Sequence, residues 1–452
     1  MKLIKSKKAN INYLSKIINI TTFRKHSNAE KLKCCTIDGF NIITGIDAEP
    51  GLYVYFPTLS QINPDFLSYA NLYRHKELNK DPEQSGMFED NGRVKAIKLR
   101  GELSEGFILP FTILENYIVS VTNKELEDVK ESTEFDAVEH DGKEFWISKK
   151  YLPKQTQSQQ QSTGDRKNKK VPKGLNKVID TQFRFHYTTI LIKKCPNVIT
   201  PDSLIQMSYK IHGTSGISAY VLCKQPLNWK QKIAKWLTGE EFNKYDYIYA
   251  SRAVIKNKYY NENVSSGYYG VDVWAEADKI VRPCLDKGQT AYYEIVGYLP
   301  NGGYIQKKYD YGCIPPKEGE TYTHEKHFKV RIYRVTQTNI DGKVLEYTPR
   351  QVQQWCAQVG LTPVEECFYG RAGDLYPDLK LTNHWSEDFI DRLANDTNFY
   401  MEKNSPHCIN KVPHEGVVIK IEDGMSRAFK LKCFKFISGV DMTEEVNIED
   451  EN

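Results

Sequence analysis

The segment Tyr209-Lys210-Ile211-His212-Gly213-Thr214-Ser215 puts a lysine at the end of a strand-like run and just before a glycine turn. A lysine so placed can aim its amine into a pocket. Partly desolvated, or crowded by other cations, such an amine gives up its proton more readily and becomes a nucleophile. A K-x-H-G string alone is common on protein surfaces. What distinguishes this one is the series of polar residues that follows it, each set in an apolar run: Ser251-Arg252, Tyr293-Glu294-Ile295-Val296-Gly297, Ile332-Tyr333-Arg334-Val335, Glu415-Gly416-Val417-Val418-Ile419-Lys420 and Phe429-Lys430-Leu431-Lys432. Lys430 and Lys432 are two apart on a strand, so both face one side, as a phosphate-binding pair would. Glu294 lies in the run YYEIVGYL, where an unpaired carboxylate is costly. It therefore marks either a functional group or a buried ion pair. Arg252 offers a planar donor fork suited to phosphate or ribose.

In order and content these six elements, spanning Lys210 to Lys432, resemble the covalent nucleotidyltransferase superfamily, which comprises ATP-dependent DNA and RNA ligases and mRNA-capping guanylyltransferases. The Lys-x-His-Gly form is similar to RNA ligases, because DNA ligases and capping enzymes usually carry Asp where His212 stands. E-G-V-V-I-K followed by K-L-K is similar to the nick-sealing, type 2 group. The sequence runs 20 residues past Lys432, too few for the C-terminal OB domain of DNA ligases and capping enzymes. A β-rich region lies upstream instead, as in the Deinococcus-type branch. Two positions depart from the family: Tyr209 stands where many RNA ligases have Glu, and Arg334 where many ligases have Asp.

The resemblance implies an ATP-dependent RNA ligase that joins 3′-OH and 5′-phosphate ends, preferably at nicks in duplex RNA or RNA/DNA. Lys210 would take AMP from ATP as a lysyl-AMP and pass it to the 5′-phosphate, and the 3′-OH would displace it. Lys430 and Lys432 would bind the α-phosphate, with Lys420 a further phosphate contact. Glu415 would hold Mg²⁺, for which Mn²⁺ can substitute, since magnesium favours one or two carboxylates plus phosphate and water. Glu294 would meet the ribose or a metal-bound water, and Arg252 the ribose or the incoming 5′-phosphate. Tyr333 would stack on adenine, with Phe328 on the opposite strand face as the alternative. His212 would orient the turn or hydrogen-bond the AMP. The competing readings are a DNA ligase, a GTP-dependent capping guanylyltransferase, or a nucleic-acid-binding protein that kept the fold without catalysis.

These residues need scaffolding. LIQMSYKIHGTSGISAYVLC reads as strand, turn, strand; AYYEIVGYL, KHFKVRIYRVT, EGVVIKIED and AFKLKCF read as strands. PRQVQQWCAQVGL and WSEDFIDRLANDTNFYMEK have helical periodicity, the second with Ser386 as its N-cap. In PLNWKQKIAKWLTG the Trp229, Ile233, Trp236 stripe is expected to pack in the core or a lid. Upstream, KCCTIDGFNIITGI, GLYVYFP, GRVKAIKLRGELSEGFILP and EFWISKKYL are short strands bounded by Gly, Asp or Pro. They predict a small OB-like barrel, with Arg93, Lys95, Lys98 and Arg100 interleaved on a face suited to a nucleic-acid backbone or to solvent.

The expected architecture is therefore α+β: an N-terminal OB-like nucleic-acid-binding domain at 1–153, a Gln/Ser/Lys-rich linker at 154–174, a nucleotidyltransferase domain of ATP-grasp-like ligase type at 175–440, built of antiparallel sheets with flanking helices, and an acidic tail at 441–452. The 452 residues suit two or three domains. A net charge of +4 permits nucleic-acid binding without arguing for it. The ten cysteines include no C-x-x-C pair, which fits a reducing compartment and excludes the common zinc-finger spacings. No apolar run is long enough to span a bilayer. Met1 to Ala29 carries seven Lys/Arg and no acid, but contains the structured-looking INYLSKIINITTF. The expectation is a monomeric cytoplasmic protein without a cleaved leader and without membrane partners.

Overall fold

A computed structural model describes residues 1–7, 9–152, 177–179, 181–224, 227–239, 242–256, 269, 271–423 and 427–439. The expected linker at 154–174 and tail at 441–452 lie outside them. The chain divides into two compact units. One is Met1–Leu152 with Ile190–Pro196; the other is Pro153–Thr189 with Asn197–Asn452.

In the first unit four strands pair antiparallel in the order Gly106–Pro110, Gly51–Pro57, Ser15–Ile20, Glu134–Phe135. GLYVYFP is apolar without alternation because both its faces are covered. Val54 and Phe56 enter one core with Ile17, Leu114 and Ile118, while Tyr53 and Tyr55 enter a second with Ile37 and Ile42. Helix Phe111–Thr122 buries Phe111, Leu114, Tyr117 and Ile118 at helical spacing. Strands Leu32–Ile37 and Phe40–Gly45 form a hairpin whose turn, Asp38-Gly39, takes φ of 48° and 72°, as a tight two-residue turn requires.

The expected OB-like barrel differs from the pairing observed: among the described residues the strands of this unit form several small sheets, and none closes on itself. One reason lies in GRVKAIKLRGELSEGFILP. Arg100-Gly101, with φ of 43° and 98°, folds that run into the short hairpin Ile97–Leu99/Glu102–Ser104 before Gly106–Pro110 begins. The basic residues do not share one strand face either. Arg93 is buried with its guanidinium over the Tyr151 ring, and Lys95 pairs with Glu89 at 3.0 Å. Lys98 and Arg100 are exposed.

The second unit holds two antiparallel sheets. Its strands include β1 (Leu204–Tyr209), β2 (Thr214–Lys224), β3 (Asn243–Ser251), β4 (Gln289–Gly297), β5 (Phe328–Thr338), β6 (Val344–Glu346), β7 (Glu366–Arg371), β8 (Gly416–Ile421) and β9 (Arg427–Lys432). One sheet contains β3-β2-β4-β5-β6, and the other contains β9-β8-β1-β7. Its helices include α1 (Trp229–Thr238), α2 (Val273–Val281), α3 (Pro349–Val359) and α4 (Trp385–Ala394). α2 and α3 cover one face of the larger sheet, where Trp274, Tyr293, Ile295, Ile332 and Trp355 form its core. α4 starts two residues earlier than expected, after His384. Ser386 is not its cap but donates to the Ile199 carbonyl at 2.8 Å. The α1 stripe is also corrected: Trp229, Ile233 and Trp236 are 67%, 49% and 83% exposed.

The mixed α+β class with antiparallel sheets is as expected. All ten cysteines are free. Among the described residues no helix is long and apolar enough to cross a membrane.

Candidate active site

The smaller sheet sorts its residues by face. In β8 and β9 Val417, Ile419, Ile421, Phe429 and Leu431 are buried, each 4% exposed or less. The alternate residues, Val418, Lys420, Lys430 and Lys432, lie on the opposite face. Cross-strand register carries that second face onto β1, because Ser208 pairs with Val418, and Val418 with Lys430. Lys210, two residues beyond Ser208, leaves β1 on that side, and its N–H donates to the Gly416 carbonyl at 2.8 Å. Three separate motifs thus meet where β1, β8 and β9 lie side by side.

Their centre is Glu415, 4% exposed. Its Oε1 is 2.8 Å from Lys210 Nζ and 3.7 Å from Lys432 Nζ, and its Oε2 is 3.7 Å from His212 Nδ1. Burial disfavours the carboxylate, but Lys210, Lys432 and His212 outweigh it and hold the carboxyl down at about 2. Burial, with Lys432, Lys210 and Arg252 nearby, pushes the Lys430 ammonium well below its ordinary range. Cations crowded in this way form a setting suited to an anionic ligand.

Glycines allow the close approach. A Cβ on Gly213 would come within 2.5 Å of the Ile295 carbonyl oxygen and 3.2 Å of a Glu294 carboxylate oxygen. Gly416 takes φ of 130°, and a Cβ there would lie 2.1 Å from the Leu431 carbonyl oxygen. The His212 N–H donates to the Tyr311 hydroxyl at 2.6 Å, and its ring packs edge-on against Tyr309 and Phe436. Tyr309 and Tyr311 carry no signal in the motif spacing.

On the larger sheet Glu294 pairs in register with Ser215 of β2, whose hydroxyl donates to Glu294 Oε1 at 2.9 Å. Tyr333 faces His186: their rings meet edge-on at 5.4 Å, and the hydroxyl is 3.4 Å from His186 Nδ1. Burial first, then Arg252, Arg334, Lys210 and Lys430, push His186 well below its ordinary value, so its imidazole is neutral at pH 7. His186 escaped sequence reasoning. Its only trace was the aromatic run Phe183–Tyr187. Arg252 follows β3, with Nη2 3.5 Å from Thr188 Oγ1. Phe328, the alternative to Tyr333, is 2% exposed and stacks on Tyr322 at 4.7 Å in the helix-side core.

Tyr209 and Arg334, the two positions that depart from the resemblance, each have local partners. Tyr209 pairs with Val417 on the buried face, where its ring meets His407 and His414 at 5.3 and 5.4 Å. Arg334 makes a bidentate pair with Glu346 at 2.6 and 2.7 Å beneath Tyr187 and Tyr292. It serves the sheet.

Lys420 lies away from Glu415. Its Nζ donates to the Tyr333 carbonyl and so links the two sheets. Burial lowers its pKa to about 8, while Glu346 opposes the shift and Arg334 adds to it. A cation whose folded pKa is depressed costs stability at neutral pH, and the cost is relieved as pH rises from 8 towards 10.5. Lys420→Met is therefore expected to stabilise the protein at pH 7 by on the order of 1–2 kcal/mol, with the gain shrinking by pH 10.5. Urea unfolding at the two pH values measures this; an equal gain at both would contradict it.

Among the described residues no group of three or more His, Cys, Asp and Glu is placed to hold a metal. Glu415 offers a hard carboxylate, and its buried Oε2 makes no hydrogen bond. That suits magnesium or manganese bound through one carboxylate together with nucleotide phosphates, rather than a protein cage.

No family model matches the chain, and no curated protein matches it in sequence. Solved structures of an RNA ligase from Naegleria gruberi do match it in fold. The form with pyrophosphate has a TM-score of 0.53 at 15% identity, over 96% of this chain and 100% of that one. A mutant apo form has a TM-score of 0.55 at 15% identity, over 95% and 98%. A mutant with ATP and manganese has a TM-score of 0.53 at 14% identity, over 96% and 99%. At this identity the likeness is one of fold.

Proposed function

We propose that the chain is an ATP-dependent RNA ligase that seals 3′-OH/5′-phosphate ends, preferably nicks in duplex RNA or RNA/DNA, with Lys210 as the nucleophile. The observation that carries this is the convergence of Lys210, Lys432 and His212 on the buried Glu415 carboxylate. Lys430 stands beside Lys432 on the same strand face. The likeness of fold to a ligase solved with ATP and manganese supports it.

In the proposed reaction Lys210 Nζ, as the free amine, attacks the α-phosphorus of ATP. The N–P bond forms, the bond from α-phosphorus to the bridging oxygen breaks, and pyrophosphate leaves. The 5′-phosphate of the nick then takes the AMP and frees Lys210. The 3′-OH attacks that phosphate, loses its proton and expels AMP. Each displacement places extra negative charge on equatorial oxygens, which Lys430 and Lys432 would neutralise. Glu415 would hold the divalent cation, whose contribution is charge neutralisation on the nucleotide phosphates. Tyr333 and His186 would border the base, Glu294 the ribose, and Arg252 the ribose or the incoming 5′-phosphate.

The test is incubation with α-labelled ATP or GTP and Mg²⁺, followed by a nicked RNA duplex. Label from ATP on the protein and a sealed product are expected. Label from GTP alone would mean capping chemistry, and no label with either would remove the enzymatic reading.

Within the same proposal the first unit, including the upstream module at 1–153, contacts nucleic acid through exposed cations such as Lys98 and Arg100. The double change Lys98→Glu/Arg100→Glu is expected to weaken nicked-duplex binding and to lower the slope of log K against log salt by about 2. Lysine labelling by ATP should be unchanged. Binding measured across a salt series checks it; an unaltered slope would reject this surface.

A further inference from the structure

The α1 helix is the one element of the second unit that sequence periodicity assigned to packing and that instead stands in solvent. Trp229, Ile233, Trp236 and Leu237 recur at helical spacing and are 67%, 49%, 83% and 68% exposed. No residue of the helix is buried. A ten-residue helix is marginal in water, yet this one is well terminated. Asn228 and Gln231 cap each other reciprocally at 2.9 Å, and Gly239 closes the far end at φ 71°. The ends fix the helix while its apolar face stays largely exposed.

Charge narrows the choice of occupant. At 100° per residue the four apolar side chains fill one arc, and Lys230 and Lys232 flank it on opposite sides; Lys235 lies further round, and the helix has no acidic residue. A second copy of the same face would bring these lysines together. Bases could stack on the two indoles but not on Ile233 and Leu237, which make up half of the face. The eleven residues of β2, about 33 Å of strand, separate the helix connection from the turn after Lys210, so the patch is remote from the proposed chemistry. An apolar arc containing two tryptophans, bordered by lysines and free of acids, is complementary to the headgroup region of an anionic bilayer.

We propose that α1 lies flat in an anionic membrane surface, Trp229 and Trp236 inserted at the interface and Lys230 and Lys232 against lipid phosphates, tethering the protein to lipid. With so few residues the attachment is weak and reversible, and it depends on anionic lipid and low salt.

The full chain is to be mixed with vesicles of phosphatidylcholine alone or of phosphatidylcholine with phosphatidylserine, and followed by flotation and by tryptophan emission. On the anionic vesicles the bound fraction is expected to rise on the order of tenfold, with a blue shift and quenching by brominated lipid. Trp229→Ser/Trp236→Ser should abolish the shift, and Lys230→Glu/Lys232→Glu the preference for phosphatidylserine. Every altered residue is solvent-exposed, so unchanged lysine labelling by ATP certifies the fold of both variants. Equal binding to both vesicle types, or binding retained by the tryptophan variant, would overturn the proposal. So would a tryptophan variant that loses RNA binding or self-association while wild type ignores the vesicles.

Discussion

Glu415→Gln is expected to cut formation of the lysine–nucleotide adduct by about 100-fold or more, with Lys210 intact. The change removes one negative charge from a buried point surrounded by Lys210, Lys432 and His212. It leaves those groups without their shared anion and the divalent cation without its carboxylate. Retention of near-wild-type labelling would show that the carboxylate serves the fold alone.

The same residue sets a pH dependence. Its carboxyl is held at about 2 against an ordinary 4.5. A depressed carboxyl contributes stability that is present above 4.5 and lost as pH falls from 4.5 towards 2. The span corresponds to roughly 3 kcal/mol. Wild type should therefore lose more stability than Glu415→Gln across that window in acid titrations of urea unfolding.

Gly416→Ala should destabilise the protein by about 3 kcal/mol or more, and abolish labelling with it. Gly416 sits at φ 130°, where L side chains are strained, and the new Cβ would meet the Leu431 carbonyl oxygen at 2.1 Å and Lys432 Cα at 2.9 Å. Relief requires β8 and β9 to part. Parting them moves Glu415 away from Lys432 and loosens the Lys210 N–H bond to the Gly416 carbonyl. Thermal unfolding and ATP labelling measured together check this; wild-type values for both would refute the geometry.

The second unit was largely legible in the sequence because its strands carry the chemistry. A lysine pair at spacing two and a lysine before a glycine turn each fix a face or a bend, and the register of β1, β8 and β9 brings them together beside Glu415. What escaped was long-range. His186 reaches Tyr333 across 147 residues, with no periodicity to announce it. Arg334 is held by Glu346, a pairing invisible to a motif read along one strand. The α1 stripe was misread because helical spacing of apolar residues reports an apolar face and not what covers it. In the first unit strand existence was legible and closure was not. Whether short strands form a barrel depends on turns such as Arg100-Gly101; Arg93 is buried over Tyr151, while Lys95 pairs with Glu89 at the surface.

The most direct measurement is the intact mass of the purified protein after incubation with ATP and Mg²⁺, followed by peptide mapping. A single acid-labile adenylyl adduct is expected, located on Lys210 and absent from Lys210→Ala. An unmodified protein, or an adduct on another residue, would contradict the assignment of Lys210 as the nucleophile.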